Sequence, residues 1–369
     1  MSKILYINTH AARYGWYFGR RMPRGYSLAA KFWGSGLIDR TKTLYTGFPY
    51  QSLYPLPQFS AATPSPDIGT LCDQSGTRLV REALNAQKKI QIFWSGGIDS
   101  TAAAVGIIRA ATQMDCLNQQ VEFVVTDESV EEYPDFFTRF IKPLRHNFVT
   151  APVTSHFNPR NLVVTGEHGD QIFGSAKAEN YVTDGRAFEP FDAALPHILT
   201  EILGSPADAD TVIEYIEPLL RACPIKLKTI FDAFWWINFS CKWQIVGLRL
   251  AVFRVTDVRP AFNALRHFFT HSSFQTWALQ NHDKKIQTTW QSYKMPLKEY
   301  IYQFTGDDDY RKNKVKVPSL KAVFVGDVMH RPPAYRILMD EEFEPVFWEF
   351  ERRSGVISPL TLPRRNQGL

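Results

Sequence analysis

The chain has 369 residues, of which 44% are hydrophobic and 14% aromatic. A chain of this length with so many large apolar side chains can bury a substantial core, which excludes a disordered or fibrous protein. Its formal charge is +5, from 42 Lys and Arg against 37 Asp and Glu. This small excess suits an anionic substrate and does not require a nucleic acid partner.

Cysteine usage and hydropathy predict a cytoplasmic protein. The four cysteines lie far apart, without a C-x-x-C pair and without the dense spacing of a secreted disulfide framework. The apolar stretch 4–7 is too short for a secretory signal. The most apolar region, 230–255, contains charged residues such as Asp232, Lys242 and Arg249. We therefore predict a buried core helix there and no membrane association.

Residues 1–88 predict a small mixed N-terminal extension. Tyr, Pro and Gly are frequent, and short extended stretches at 4–7 and 42–45 alternate with turn residues. Between positions 13 and 24, arginines alternate with aromatic residues, a composition that can stack on bases and hold phosphates. Aromatic core residues with surface arginines explain the same pattern more simply. A nucleic acid stays open as a partner but is not favoured.

Residues 89–190 alternate strands and helices. A helical pattern at 75–87 leads into a strand at 90–94 and an Ala-rich helix at 100–111, and apolar runs at 121–126 and 161–165 predict two further strands. Such continuous apolar strands are typical of a parallel sheet that is covered on both faces. We predict an α/β core with a doubly wound parallel sheet at 89–190. Apolar periodicity predicts a mostly helical part at 191–369 that completes the active site.

Two glycine-containing turns follow predicted strands, at the sheet edge where open α/β folds bind ligands. In the first turn, Gly96 and Gly97 permit a close backbone approach that favours a phosphate ligand. Asp99 would repel phosphate unless a divalent cation lay between them, so we expect Mg²⁺ here. Three hydroxyl side chains add donors to the same turn: Ser95, Ser100 and Thr101.

Both turns resemble motifs of known families. The segment S-G-G-I-D-S at 95–100 resembles the loop of the PP-loop ATP pyrophosphatases, which cut ATP between the α and β phosphates. The segment T-G-E-H-G-D-Q-I-F-G at 165–174 resembles one that marks the synthetase domain of the asparagine synthetase family. Y-K-M-P-L-K at 293–298 and R-P-A-F at 259–262 are similar to later segments of that family. The resemblance spans residues 70–320 and implies a fold of the HUP type.

The resemblance implies ATP and Mg²⁺ as ligands and a role for each matched residue. Asp99 and Asp170 would bind Mg²⁺. Lys294 would contact the α-phosphate and the developing oxyanion, and Glu167 would act as base on the incoming amine. The ATP-binding residues would be Ser95, Gly96, Gly97 and Ser100 at the pyrophosphate and Val125 and Gly166 at the adenine.

The implied activity is that of an ATP-dependent amide-forming ligase. A small-molecule carboxylate would be adenylated, pyrophosphate would leave, and ammonia or an amine would attack the acyl group. Ser2 stands where the family's glutaminase domain has its cysteine nucleophile, so free ammonia, an amine substrate or a separate amidotransferase subunit would supply nitrogen. His168 and Gln171 replace a small and an acidic residue of the family motif, which predicts a different acceptor pocket.

Other interpretations stay open at this point. A PP-loop enzyme that acts on a nucleobase or tRNA usually needs paired or zinc-binding cysteines, which four scattered cysteines do not provide. A degenerate nucleotide-binding protein fits Gln171 but not the intact 95–100 loop. Lys294 also suits a solvated surface, and Glu167 with Asp170 an N-capping pair. One basic cluster is either a solvated face or a lid that grips phosphate: Arg311, Lys312, Lys314 and Lys316.

Overall fold

The computed structural model describes residues 4–7, 12, 16–17, 20–60, 64–150, 152–252 and 258–316, together with three strands between 334 and 359. The arginine side chains at 13, 20 and 21 lie outside the described residues. The strands, in chain order, are Ile4–Ile7 (β1), Trp16–Tyr17 (β2), Arg20–Arg21 (β3), Ile90–Phe93 (β4), Val121–Val125 (β5), His146–Phe148 (β6), Leu162–Thr165 (β7), Leu265–His267 (β8), Ala334–Met339 (β9), Pro345–Phe350 (β10) and Ile357–Pro359 (β11).

Helices supply most of the regular structure. Short 3₁₀ turns also occur, as at Ala176–Ala178 and His282–Lys284, and one π-helical turn covers Phe137–Ile141. The α-helices, in chain order, are Arg24–Trp33 (α1), Ile68–Asn85 (α2), Ile98–Gln113 (α3), Leu117–Gln120 (α4), Asp127–Glu132 (α5), Pro134–Phe136 (α6), Gly169–Phe173 (α7), Glu179–Thr183 (α8), Phe191–Leu203 (α9), Pro206–Arg221 (α10), Ile230–Cys241 (α11), Trp243–Val252 (α12), Val258–Ala264 (α13), Ser272–Gln280 (α14), Met295–Thr305 (α15) and Asp308–Asn313 (α16).

A five-stranded parallel sheet with the order β6-β5-β4-β7-β8 organises this α/β fold. The chain moves outward from β4 to β5 and β6, and then crosses to the other side of β4 for β7 and β8. Every residue of β7 and nearly every residue of β4 and β5 is buried, as expected for apolar strands in a covered parallel sheet. The three strands predicted at 90–94, 121–126 and 161–165 are confirmed, and the carboxyl ends of β4 and β7 lie side by side.

The helix that follows β4 is held close to the sheet by glycine and alanine. Helices α2 and α3 cross at Gly76 and Gly106, where a Cβ on Gly76 would lie 2.1 Å from the Gly106 carbonyl oxygen. Only glycine permits this approach. Alanines 102–104, 110 and 111 of α3 are buried, so the Ala-rich sequence reflects tight packing around α3 as well as helix propensity. The helix predicted at 75–87 begins earlier than expected, at Ile68.

Three sequence predictions differ from the structure. Residues 42–45 form no strand. The single core helix expected over 230–255 is two buried helices, α11 and α12, which meet at Lys242; residues 253–257 lie outside the described part. The part beyond 191 is helical to Asn313, apart from β8, but β9, β10 and β11 then form an antiparallel sheet with β1. None of the helices in the described ranges is long and apolar enough to cross a membrane.

Candidate functional site

A cavity of about 480 Å³ opens at the carboxyl ends of β4, β5 and β7. This is the sheet edge at which the two glycine-containing turns were predicted to meet a ligand. Helices α11 and α12 close the cavity on the side of the second turn. The predicted site residues that line it are Ser95, Gly97, Asp99, Ser100, Gly166, Glu167, Asp170 and Lys294.

The structure does not bring Gly96, Thr101 or Val125 to this cavity. Thr101 is fully buried, and its hydroxyl accepts a hydrogen bond from the indole N–H of Trp94 at 3.0 Å. Val125 is buried and its carbonyl accepts the Val149 N–H at 2.9 Å. Gly96 has a φ of 76°, and a Cβ there would lie 2.4 Å from the Ser129 carbonyl oxygen. These three residues support the backbone around the cavity and do not line it.

The 95–100 loop is fixed by its own hydroxyl groups. The Ser95 N–H donates to Oγ of Ser100 at 3.1 Å, and that hydroxyl donates to the Gly97 carbonyl at 3.1 Å. Oγ of Ser95 lies 3.0 Å from Oγ of Ser100. Helix α3 begins directly after Gly97 and has no side-chain cap. Its first amide groups therefore stay available for an anion at the cavity.

The two turns touch through glycine positions. A Cβ on Gly166 would lie 2.6 Å from the backbone nitrogen of Ser100, and a Cβ on Gly169 would lie 2.2 Å from Cγ of Asp99. Neither contact has room for a larger residue. Helix α7 begins after His168 without a side-chain cap, so the N-capping interpretation of Glu167 and Asp170 is wrong.

Lys294 joins the two turns electrostatically. Its side chain is fully buried, and Nζ donates to Oδ2 of Asp99 at 2.5 Å and to Oδ1 of Asp170 at 2.7 Å. Nζ of Lys316 lies 3.3 Å from Oδ2 of Asp170. Burial works to raise the pKa of Asp170, but Lys294 and Lys316 outweigh it and hold this pKa far below its usual range. The interpretation of Lys294 as a solvated lysine is wrong.

The carboxylate pair also fits a divalent cation. Burial raises the pKa of Asp99 above its usual range although Lys294 acts in the opposite direction. Oδ1 of Asp99 is buried without a hydrogen-bond partner among the described residues. No group of three His, Cys, Asp or Glu side chains within the described ranges is arranged to hold a metal. Two carboxylates that share the ion with phosphate oxygens are the ligand set that Mg²⁺ commonly takes beside a nucleotide.

The two residues that distinguish the second turn from the motif it resembles, His168 and Gln171, line the cavity and are held there by packing and hydrogen bonds. His168 has a φ of 75°, stacks on Trp243 at 4.4 Å, and its Nε2 lies 2.9 Å from the Trp243 carbonyl oxygen. Burial holds the pKa of His168 well below its usual value, so the ring is neutral and Nε2–H donates. Nε2 of Gln171 donates to Oδ1 of Asn238 at 3.1 Å, and Nδ2 of Asn238 donates to the Gly174 carbonyl at 2.6 Å.

Arg249 and the basic cluster complete the electrostatics of the site. Arg249 donates to Oε2 of Glu167 at 2.5 Å. The cluster at 311–316 divides: Arg311 and Lys312 pair with Asp308 outside the cavity, whereas Lys316 reaches Asp170. Arg249, Lys242 and Lys177 also line the cavity, and sequence analysis gave none of them a role. The one signal for Lys242 is its position inside the most apolar stretch of the chain.

Comparison with known proteins adds no family assignment. No protein-family model matches the chain. No curated protein matches it in sequence. The functional argument therefore depends on the chemistry of the cavity.

Proposed function

We propose that this protein is an ATP-dependent amide-forming ligase that releases AMP and pyrophosphate, built on a doubly wound sheet of the HUP type. The observation that carries the proposal is the meeting of Asp99, Asp170 and Lys294 beside a Ser-Gly loop. These three side chains come from distant parts of the chain: Asp99 and Lys294 are 195 positions apart, and Asp170 and Lys294 are 124 positions apart. A buried cluster of this kind suits a ligand that combines phosphate with a divalent metal.

The proposed ATP site uses the β4 side of the cavity. The free amides at the start of α3 and the hydroxyls of Ser95 and Ser100 would receive the pyrophosphate. The apolar side chains Phe93, Val124 and Phe157 line the neighbouring wall and suit an adenine ring. Asp99 and Asp170 would hold Mg²⁺, which when bound supplies charge neutralisation on the leaving pyrophosphate.

The proposed reaction has two steps. An oxygen of the substrate carboxylate attacks the α-phosphorus of ATP, and the bond from that phosphorus to the pyrophosphate oxygen breaks. Ammonia or an amine then attacks the acyl carbon, the bond to AMP breaks, and a proton passes from nitrogen to Glu167. Arg249 donates a hydrogen bond to one carboxylate oxygen of Glu167 and so fixes its position. The ammonium of Lys294 supplies positive charge for the oxyanion of the second step.

The test is formation of AMP and pyrophosphate from ATP and Mg²⁺, screened across small carboxylic acids with and without ammonia. We expect both products only with particular acids, and loss of both in Asp99→Asn. ADP with phosphate, or unchanged turnover in Asp99→Asn, would contradict the ligase. ATP binding without turnover would favour a binding protein, and AMP formation dependent on tRNA would favour a nucleic-acid-modifying relative.

A further inference from the structure

Five cationic side chains line the cavity, and two of them form no ion pair with its carboxylates. Three lining cations, Lys294, Lys316 and Arg249, form ion pairs with Asp99, Asp170 or Glu167. The remaining two, Lys177 and Lys242, have no carboxylate partner among the described residues. Both lie on the side of the cavity formed by α11, α12 and the 3₁₀ turn Ala176–Ala178.

Lys242 occupies the junction between α11 and α12. Its ammonium makes no hydrogen bond or ion pair with any residue that the structure describes, and the side chain is half-buried where it lines the cavity. Burial, helped by Arg249 and Lys177, lowers the pKa of Lys242 to about 8. Asp170 acts on the pKa of Lys242 in the opposite direction but forms no ion pair with it, and no other described carboxylate does. Burying a cation without a paired counterion is costly.

Lys177 is fixed close to Lys242. Its Nζ lies over the Phe32 ring, 4.0 Å from the centroid, and burial lowers its pKa. The hydrogen bonds of Asn238 to Gln171 and to the Gly174 carbonyl tie the segment before Lys177 to α11, the helix that leads to Lys242. The position of Lys177 is therefore set before a ligand binds, which limits the entropic cost of binding an anion there.

The acidic side of the cavity is already occupied. Asp99, Asp170 and Glu167 are ion-paired, and Glu132 pairs with Lys314 at 3.0 Å. The one other lining carboxylate, Glu128, is exposed at the start of α5, beside the proposed adenine wall. An ammonium group on the acceptor would meet two cations at Lys177 and Lys242, and the nearby carboxylate of Asp170 is already paired with Lys294 and Lys316.

We infer that the acceptor is a dianionic acid without an amino group, whose second oxyanion binds Lys242 and Lys177 while its other carboxylate reacts. The inference rests on the proposed ligase function. Val246 and Leu250 of α12 line the same side of the cavity, so the part of the acceptor between the two charges is apolar. The second oxyanion is either a carboxylate or a phosphate monoester, which share the chemistry that the lysines recognise.

Four probes separate these possibilities: succinate, the phosphate monoester of 3-hydroxypropionate, aspartate and propionate. Each is titrated calorimetrically into the protein with Mg²⁺ and a non-cleavable ATP analogue, and AMP formation is measured separately with ATP. We expect succinate or the phosphate monoester to bind at least about tenfold more tightly than aspartate or propionate, as for loss of one charge-assisted contact. The better of the two dianions identifies the second oxyanion.

Lys242→Met tests the position of the subsite. It should weaken binding of the preferred dianion about 10- to 100-fold, leave affinity for the ATP analogue unchanged and not lower the unfolding midpoint, whereas Lys242→Arg should retain dianion binding. Lys226→Met makes the same chemical change at an exposed lysine and should have no effect. A lower midpoint in Lys242→Met would indicate a structural lysine and overturn the inference.

The binding measurement tests the anion subsite, and the turnover measurement tests the ligase function, so either proposal can be refuted without the other. Dianion binding that depends on Lys242 without AMP formation would refute the ligase and keep the anion subsite. AMP formation with aspartate or propionate as efficient as with either dianion would keep the ligase and overturn the inference, as would failure of both dianions to bind.

Discussion

Replacing Lys294 by methionine removes the cation between two enclosed carboxylates. Breaking a buried ion pair from one side costs about 3–5 kcal/mol, because the remaining charge is left unpaired. Here Lys316 stays 3.3 Å from Asp170, and the side chains of Asp99 and Asp170 are 21% and 29% exposed. Both features reduce the penalty, so we expect Lys294→Met to lower the unfolding free energy by about 3 kcal/mol.

The assay is urea unfolding at pH 7, followed by tryptophan fluorescence and far-UV circular dichroism, with the unfolding free energy extrapolated to water. Lys312→Met, at an exposed lysine paired only with Asp308, is the matched control and should change it by less than about 0.5 kcal/mol. The double variant Lys294→Met/Asp99→Asn also removes the carboxylate charge of Asp99, which Lys294→Met leaves unpaired. We expect this variant to recover at least about 1 kcal/mol relative to Lys294→Met alone.

A loss below about 1 kcal/mol in Lys294→Met, the range of an exposed ion pair, would refute this account. Strict additivity of the two substitutions would refute it as well, since side chains that neutralise each other show a coupling energy. Either result would mean that water or bound ions already compensate Asp99 and Asp170 in the folded protein.

Three further predictions follow from other contacts. Gly169→Ala places a Cβ 2.2 Å from Cγ of Asp99 and should abolish Mg²⁺–ATP binding in calorimetry, whereas Gly97→Ala, with no neighbour nearer than 3.4 Å, should keep the wild-type fold. Thr101→Val should cost about 1–3 kcal/mol in urea because it strands a buried indole N–H, while Thr101→Ser should not, and neither should change ATP affinity. Burial and Lys285 lower the pKa of His282 to about 4, below the unfolded value of about 6.5. The unfolded chain therefore binds this proton more readily, and the free energy of unfolding falls as the pH drops from about 6.5 to about 4. His282→Asn should flatten this part of a pH–stability curve. An equally steep curve in that variant would exclude His282 as the source.

Strongly local signals made the centre of the sheet predictable. The three central strands are continuous apolar runs, and each glycine turn follows one of them directly. The short edge strands gave no such signal: β6 contains His146 and Asn147, and β8 contains Arg266 and His267. Their place in the sheet depends on neighbouring strands, which local patterns do not report.

Side-chain direction was the other limit of sequence analysis. Ser100 and Thr101 are adjacent hydroxyl residues of α3, yet Ser100 faces the loop and Thr101 faces Trp94. Successive residues of a helix point about 100° apart, so a one-residue difference decides which hydroxyl can meet a ligand. No motif marks Lys242, because its place at the cavity without an ion-pair partner among the described residues is a property of the tertiary structure.

The long separation between Asp99 and Lys294 has a consequence for the newly made chain. Lys294 is made 124 residues after Asp170, which takes about 6–25 s at 5–20 residues per second. During that interval the carboxylates of both turns lack their cation, so the closed arrangement of the turns is less stable than in the complete chain. Strand β8, at Leu265–His267, also arrives late. We therefore expect ribosome-bound chains that end before Lys294 to be cut by protease at the 95–100 and 166–170 turns, and full-length chains to resist.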